Sequence, residues 1–122
     1  MLDSNILIYL LEGISPPARA KVEACQPGEV VTSTIACAEM MLKVPAGDAR
    51  KQADVDRLFT AVKLLPFDGR AALAYRDVPF RRGSFDRLIA AHALSLGLVV
   101  VTNNLSDYSD VPRLVIENWT VA

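Results

Sequence analysis

The stretch SFDRLIAAHALSLGLVVVT, residues 84–102, decides the fold class of this chain. Its first part predicts a helix over 85–96, because Ser84 can cap the start and Gly97 is a C-terminal stop signal. The second part, 98–102, is a nearly continuous apolar run, which is typical of a strand buried on both faces of a sheet. A buried strand that directly follows a helix predicts an α/β fold with a parallel sheet.

Helix and strand signals alternate through the rest of the chain in the same way. Short strands are predicted at 1–2, 29–32, 63–67 and 114–116, and helices at 6–11, 15–25, 34–44, 48–62 and 68–76. The helix over 34–44 is apolar on nearly every face, so we expect it to be buried. Because no linker or repeat interrupts the pattern, we expect one domain over 1–122. Ligands of such a sheet collect at the carboxyl ends of its strands.

Composition narrows the classes of function. The 122 residues are 52% hydrophobic with a mean hydropathy of +0.27, which excludes a disordered chain and leaves apolar surface for a partner. The net charge of -1 excludes the strongly basic surface of a protein that coats nucleic acid. The two cysteines are too few for a disulfide framework, and no apolar run approaches the roughly 18 residues of a membrane span. We expect a cytoplasmic protein with no membrane partner.

Four acidic residues stand where a purely structural role is least satisfactory. They follow the first strand, interrupt the apolar helix, open the 85–96 helix and follow the next strand: Asp3, Glu39, Asp86 and Asp107. Asp3 could be an N-cap, Asp86 could complement the helix dipole, and Asp107 could be a turn residue. Glu39 is harder to explain, because a buried carboxylate without a partner is costly.

The fold brings three of these acids toward one edge of the sheet. Carboxylates that share a cleft repel one another unless a divalent metal neutralises them. Oxygen ligands select Mg²⁺ or Mn²⁺ over zinc, and such an ion activates water for attack on a phosphodiester. The acids therefore predict metal-dependent phosphodiester hydrolysis.

Other chemistries lack the residues that they need. His92 is the only histidine, and its place on a helix favours a packed imidazole over a catalytic one. No glycine-rich phosphate loop or nucleophile-elbow serine is present. Arginines crowd the approach to Asp86, and among them Arg82 and Arg87 are candidates to bind substrate phosphates, although a solvated basic face is the alternative.

Four stretches of the chain form a recognisable set. They are LDSNILIYL at 2–10, the segment 34–42 around Glu39, FDRLIAAHA at 85–93, and VTNN at 101–104 followed by Asp107 and Tyr108. Together they resemble PIN-domain proteins, and most closely toxin ribonucleases of the VapC type, over essentially the full chain. The resemblance implies a PIN-like three-layer α/β/α sandwich with a central parallel sheet. It also implies an endoribonuclease that depends on Mg²⁺ or Mn²⁺ and a cognate VapB-like antitoxin that blocks it.

The resemblance assigns roles by position. It implies that Asp3 and Asp86 are the principal metal ligands and that Glu39 is the third acid. Asp107 is the natural fourth, but many PIN domains place an acid where this chain has Asn104. The neighbouring polar residues would orient carboxylates or water: Ser4, Asn5, Thr102 and Asn104. The chain departs from the family pattern in its short first strand and in the short loop ahead of Asp86.

The sequence is thus interpreted as that of a toxin endoribonuclease that cuts a tRNA or rRNA loop by attack of an activated water. Glu39 or Asp107 would orient or deprotonate that water. A homodimer is expected from the apolar excess, and the antitoxin is expected to place a basic side chain in the acidic pocket. Two alternatives stay open: an RNA-processing PIN nuclease outside a toxin system, and a non-catalytic PIN domain that binds RNA or regulates.

Overall fold

A computed structural model describes residues 1–121; Ala122, the last residue of the predicted 1–122 domain, lies outside the described residues. The helices are α1 (Ser4–Glu12), α2 (Pro16–Glu23), α3 (Thr34–Met41), α4 (Ala49–Ala61), α5 (Gly69–Ala74) and α6 (Phe85–Leu96). The strands are β1 (Val31–Ser33), β2 (Lys63–Leu65), β3 (Val100–Val101) and β4 (Ile116–Glu117). Short 3₁₀ helices cover Tyr75–Asp77 and Leu105–Asp107.

The strands form a parallel arrangement in which Leu2 occupies the centre. β1 pairs with β2 and β3 pairs with β4, both in parallel. Leu2 joins the two pairs through parallel bridges to Thr32 in β1 and Val101 in β3. The Leu2 N–H donates to the Val31 carbonyl at 2.8 Å, and the Asp3 N–H donates to the Val101 carbonyl at 3.0 Å. The predicted α/β fold with a central parallel sheet is confirmed. Asp3 directly follows Leu2, so it lies at the carboxyl end of the central segment of the sheet.

The helix boundaries follow local capping signals. The Asp3 side chain accepts a hydrogen bond from the Ile6 N–H and caps α1. α6 has the predicted bounds. Gly97 adopts the left-handed conformation (φ 65°) that ends a helix, but Ser84 precedes the first turn without the predicted side-chain capping hydrogen bond. The start of α1 places Asp3 next to the ends of the strands, and the start of α6 places its first turn there as well.

The core lies around the central strand and α6. Leu2, Ile6, Leu7, Ile89 and Val100 are fully buried. α1 packs against α2, α3 and α4, and α5 packs against α6. None of the helices described for residues 1–121 is both long and apolar enough to cross a membrane.

His92 is a packed residue of this core, as predicted. Its side chain is 2% exposed, and its Nδ1 lies 2.8 Å from the Ser33 Oγ. The Phe67 ring meets the imidazole edge to face, with the ring centroids 5.5 Å apart. The imidazole therefore joins α6 to the end of β1.

The expectation that the 34–44 helix is buried is wrong. α3 ends at Met41, because Val44 precedes Pro45 and a residue before proline avoids the helical conformation. Ala36 and Met40 are buried, but Ala38 is exposed and Leu42 is 85% exposed. α3 is therefore only partly buried, and Leu42, the residue that follows it, is an apolar side chain open to solvent.

Candidate active site

The two carboxylate oxygens of Asp3 have different partners: one caps α1 and the other faces a tyrosine hydroxyl. Its carboxylate is 3% exposed, and Oδ1 accepts the capping hydrogen bond from the Ile6 N–H at 3.1 Å. Oδ2 lies 3.5 Å from the Tyr108 hydroxyl. The cap fixes the orientation of the carboxylate and leaves its second oxygen directed toward other polar groups.

Asp86 lies on the other side of the same hydroxyl. It is the second residue of α6 and is half-buried. The Tyr108 hydroxyl donates to Oδ1 of Asp86 at 3.2 Å, and it is also within 3.5 Å of Asp3. A single phenol therefore lies between two carboxylates that come from opposite ends of the sequence.

The pKa values of the two acids show that they share one electrostatic environment. Burial raises the pKa of Asp3 from 3.8 to about 6, and the negative charge of Asp86 adds to this rise. Hydrogen bonds from Thr102, the Ile6 N–H and Tyr108 act in the opposite direction. Burial also raises the pKa of Asp86, the charge of Asp107 adds to that increase, and the Tyr108 hydroxyl opposes it. Negative charge here is destabilising unless a cation balances it.

Glu39 belongs to the same acidic group. It projects from α3 and is partly buried, and its Oε1 is fully buried with no hydrogen-bond partner among residues 1–121. Burial raises the pKa of Glu39, a hydrogen bond with Ser4 lowers it, and the charges of Asp86 and Asp3 raise it further. A buried carboxylate oxygen without a donor is costly, so Glu39 Oε1 is available to a water or a cation.

Asp107 and Asn104 occupy different positions relative to these acids. Asp107 ends the 3₁₀ helix Leu105–Asp107, and its charge acts directly on Asp86. The exposed Asn104 uses its side-chain oxygen to accept a hydrogen bond from the Ser106 hydroxyl at 2.6 Å. The Asn104 N–H donates to Thr102 Oγ1 at 3.0 Å. Asp107 is therefore the better candidate for a fourth acid, whereas Asn104 shapes the turn.

The remaining polar candidates surround this group at different depths. Ser4 and Thr102 are buried, and each lowers the pKa of one of the acids, Glu39 and Asp3 respectively. Asn5 is exposed and donates to the Asn103 side-chain oxygen at 3.4 Å. Asn5 thus lies at the rim, where it joins α1 to the turn after β3.

The prediction that Arg87 binds substrate phosphates is wrong. Its side chain is 1% exposed, and its guanidinium makes two hydrogen bonds with the Asp110 carboxylate, at 2.8 and 3.2 Å. It also donates to the carbonyls of Asp107 at 2.6 Å and Pro79 at 3.3 Å. Arg87 therefore holds two segments against the start of α6 and is not accessible to RNA. Arg82, in contrast, is exposed.

The sequence did not predict the roles of Tyr108, which contacts two of the acids, and Asp110, which binds Arg87. Tyr108 is 1% exposed, yet nothing in its local sequence shows that its hydroxyl contacts two acids. Asp110 pairs with Arg87 across 23 positions, a separation at which charge patterns carry no signal. A signal for Tyr108 was its position next to Asp107, shortly after the VTNN stretch at 101–104.

The residues present are compatible with a divalent cation. A buried and a half-buried carboxylate that flank one hydroxyl match the one or two carboxylates by which Mg²⁺ is usually anchored, with waters completing its coordination. Within the part of the chain that the structure describes, no group of three or more His, Cys, Asp or Glu side chains is arranged to hold a metal ion, so an ion here would be held by no more than two of these carboxylates. An open site of this kind leaves positions for water and for a phosphate oxygen.

Comparisons with known proteins show the family to which the chain belongs. Residues 1–114 match the PIN domain family. A relative from Salmonella typhimurium, the tRNA(fMet)-specific endonuclease VapC, is 31% identical over 98% of this chain and 96% of its own length. Ribonuclease VapC2 of Rickettsia felis is 25% identical with the same coverage.

Solved structures give the same result. The DNA-bound VapBC complex of Salmonella typhimurium contains a chain with a TM-score of 0.84 and 28% identity, covering 98% of this chain and 96% of that chain. The fold is also that of the Rickettsia felis VapBC2 complex bound to a promoter DNA fragment, with a TM-score of 0.85, 24% identity and coverage of 98% of this chain and 97% of that chain. The chain therefore belongs to the PIN-domain family, as a toxin ribonuclease of the VapC type.

Proposed function

We propose that this VapC-type ribonuclease hydrolyses RNA with Mg²⁺, or with Mn²⁺ in its place, bound through Asp3 and Asp86. The observation that carries the proposal is the Tyr108 hydroxyl between the two carboxylates, 3.5 Å from one and 3.2 Å from the other. The raised pKa values of both acids support it, because a cation at this place would offset the unfavourable negative charge.

Each of the two ligands would be held by a different part of the fold. The Ile6 N–H fixes Asp3 through the helix cap, and Tyr108 restrains Asp86 from behind. When bound, a divalent ion supplies a lower pKa for its water and balances the charge that develops on the phosphate. The capped Asp3 and the restrained Asp86 would hold such an ion in a fixed position relative to the RNA backbone.

Glu39 is our candidate for the group that accepts a proton from the attacking water. Its unpartnered Oε1 is free to take a hydrogen bond, and its raised pKa moves it toward the range of an effective general base. Asp107 would be the fourth acid, and its negative charge raises the pKa of Asp86. Ser4 and Thr102 would orient the acids from the buried side, and Asn5 and Asn104 from the rim.

The proposal includes the substrate and the partners. We propose an unpaired tRNA or rRNA loop as the substrate, with the exposed Arg82 contacting a phosphate. A VapB-like antitoxin would neutralise the site, and a second copy of the chain would form a homodimer. Residues 1–122 would act as one domain, in the cytoplasm where the RNA is found; Cys25 and Cys37 are free, which is compatible with that location.

The test is cleavage of total tRNA and rRNA by the purified protein, with mapping of the product ends. We expect cleavage with Mg²⁺ or Mn²⁺, none in excess EDTA, and products with 5′-phosphate and 3′-hydroxyl ends, because water is the nucleophile. Asp86→Asn should be inactive while keeping its fold by circular dichroism. Cleavage that persists in EDTA, or 2′,3′-cyclic phosphate ends, would contradict the mechanism. RNA binding without cleavage would favour a non-catalytic PIN domain.

A further inference from the structure

The loop ahead of α6 exposes an aromatic ring that the fold does not use. Phe80 is 74% exposed, and among the exposed large apolar side chains of residues 1–121 only Leu42 has a higher exposed fraction. An exposed aromatic ring is costly in water and contributes no packing to the core. A ligand that covers the ring would remove this cost.

The two residues that flank Phe80 contact one ion pair, Pro79 through its backbone carbonyl and Arg81 through its side chain. The carbonyl of the preceding residue, Pro79, accepts a hydrogen bond from Arg87 at 3.3 Å. The side chain of the following residue, Arg81, lies 3.3 Å from the Asp110 carboxylate. Arg87 and Asp110 bind each other directly at 2.8 Å. The exposed ring is thus carried by a fixed segment.

The same ion pair connects Phe80 to the candidate active site. Arg87 follows Asp86 in α6, and its guanidinium donates to the carbonyl of Asp107 at 2.6 Å. One buried side chain therefore holds the loop that carries Phe80 and the segment that carries Asp107 and Tyr108. The carbonyls of Pro79 and Asp107 thus bind the same guanidinium, which relates the loop that carries Phe80 to the acidic group.

A cation accompanies the ring. Arg82 is exposed, and within residues 1–121 its side chain forms no ion pair. An aromatic ring next to a free cation is the combination by which proteins hold single-stranded nucleic acid, with a base on the ring and a phosphate on the cation. A protein partner would also cover an apolar ring, but Arg82 in the same loop and the ribonuclease family of the chain favour RNA.

We propose that Phe80 stacks on an unpaired base of the RNA substrate next to the scissile bond, on a loop that the Arg87–Asp110 pair holds in place. This inference rests on the proposed ribonuclease function. Stacking would contribute affinity with little sequence preference, because every base has a π face. It would also hold the RNA backbone across Asp3 and Asp86.

The test compares RNA affinity in a background that cannot cleave. In Asp86→Asn protein, fluorescence anisotropy with a labelled single-stranded RNA of mixed sequence gives the Kd for Phe80 and for its variants. We expect Phe80→Ala and Phe80→Leu to weaken binding by roughly 5- to 100-fold, the range of a base–aromatic stack, and Phe80→Trp to restore it. Leu73→Ala is the matched control, since Leu73 is 65% exposed on α5 and should leave the Kd unchanged.

A second readout separates stacking from simple apolar contact. RNA that contains 2-aminopurine should lose fluorescence on binding the Phe80 protein and not on binding Phe80→Leu. An unchanged Kd for Phe80→Ala, or a Phe80→Leu protein that binds as well as the original, would overturn the proposal. So would an effect confined to self-association or to antitoxin binding. If the wild-type chain cleaves RNA in Mg²⁺ while these variants bind normally, only the stacking inference fails; if it neither binds nor cleaves RNA, the proposed function fails as well.

Discussion

Asp3→Asn should make the metal-free protein more stable near neutral pH, although it alters a proposed catalytic residue. Asparagine is as good an N-cap as aspartate, so the hydrogen bond from the Ile6 N–H is kept. The substitution therefore removes the negative charge and little else. Burial and the charge of Asp86 oppose that charge in the folded state, and both costs disappear with it.

The size of the effect follows from the pKa of Asp3. The rise from 3.8 to about 6 is roughly two pKa units, and each unit is worth about 1.36 kcal/mol, so ionised Asp3 costs the folded state about 3 kcal/mol. The folded state binds this proton more tightly than the unfolded state. The associated stability is therefore fully present below about pH 4 and is lost as the pH rises through about 6.

Urea unfolding in EDTA at several pH values measures this directly. The free energy of unfolding of Asp3→Asn should exceed that of wild type by up to about 3 kcal/mol above pH 7, and the difference should shrink as the pH falls below about 6. Asp48→Asn is the matched control, because Asp48 also caps a helix, α4, through the Lys51 N–H at 3.0 Å. This control should change stability by less than about 0.5 kcal/mol.

A different sign would refute the reasoning. If Asp3→Asn is less stable than wild type in EDTA at pH 8, the ionised carboxylate is not under electrostatic stress in the folded state. If the gain is the same at pH 5 and pH 8, its cause is not the titration of Asp3. Either result would remove the electrostatic argument for a cation beside Asp3.

Two further substitutions test the residues behind the site. Arg87→Met should lower the free energy of unfolding by about 2 kcal/mol in chemical denaturation, because the Asp107 and Pro79 carbonyls lose a charged hydrogen-bond donor while Asp110 keeps its ion pair with Arg81. Arg19→Met, which breaks an exposed pair, should cost less than about 0.5 kcal/mol, and equal effects would contradict the buried role of Arg87. Tyr108→Phe should cost about 1 kcal/mol through the lost hydrogen bond, and the rise in Tm that Mg²⁺ produces should remain. Loss of that rise would mean that the hydroxyl itself is needed for the metal.

The fold was largely predictable from the sequence because its signals are local. The end of α6 follows from Gly97, which adopts the left-handed conformation directly after the helix. The alternation of helix and strand signals predicted the parallel sheet. The error at α3 is partly local, since Pro45 keeps the helix from reaching residue 44. It is also partly tertiary, since the composition alone could not show which face of the helix finds a partner. The exposed side of Leu42 is a property of the tertiary packing.

The site was only partly predictable. Acids at a strand end and at a helix start could be placed at one edge by the topology of the sheet. The roles of Arg87 and Tyr108 depend on contacts across 23 and 105 positions, which no local pattern encodes. A cluster of arginines near Asp86 suggested phosphate binding, but burial decides which arginine can reach a ligand. Arg87 is buried and Arg82 is exposed to solvent.

The central claim is that Asp3 and Asp86 together hold a divalent cation. Titration of the protein with Mn²⁺, followed by electron paramagnetic resonance of the free ion, tests it most directly. We predict saturable binding to wild type and a Kd at least about tenfold weaker for both Asp3→Asn and Asp86→Asn, with Asp48→Asn unchanged. Equal Mn²⁺ affinity in wild type and in the two site variants would contradict the claim.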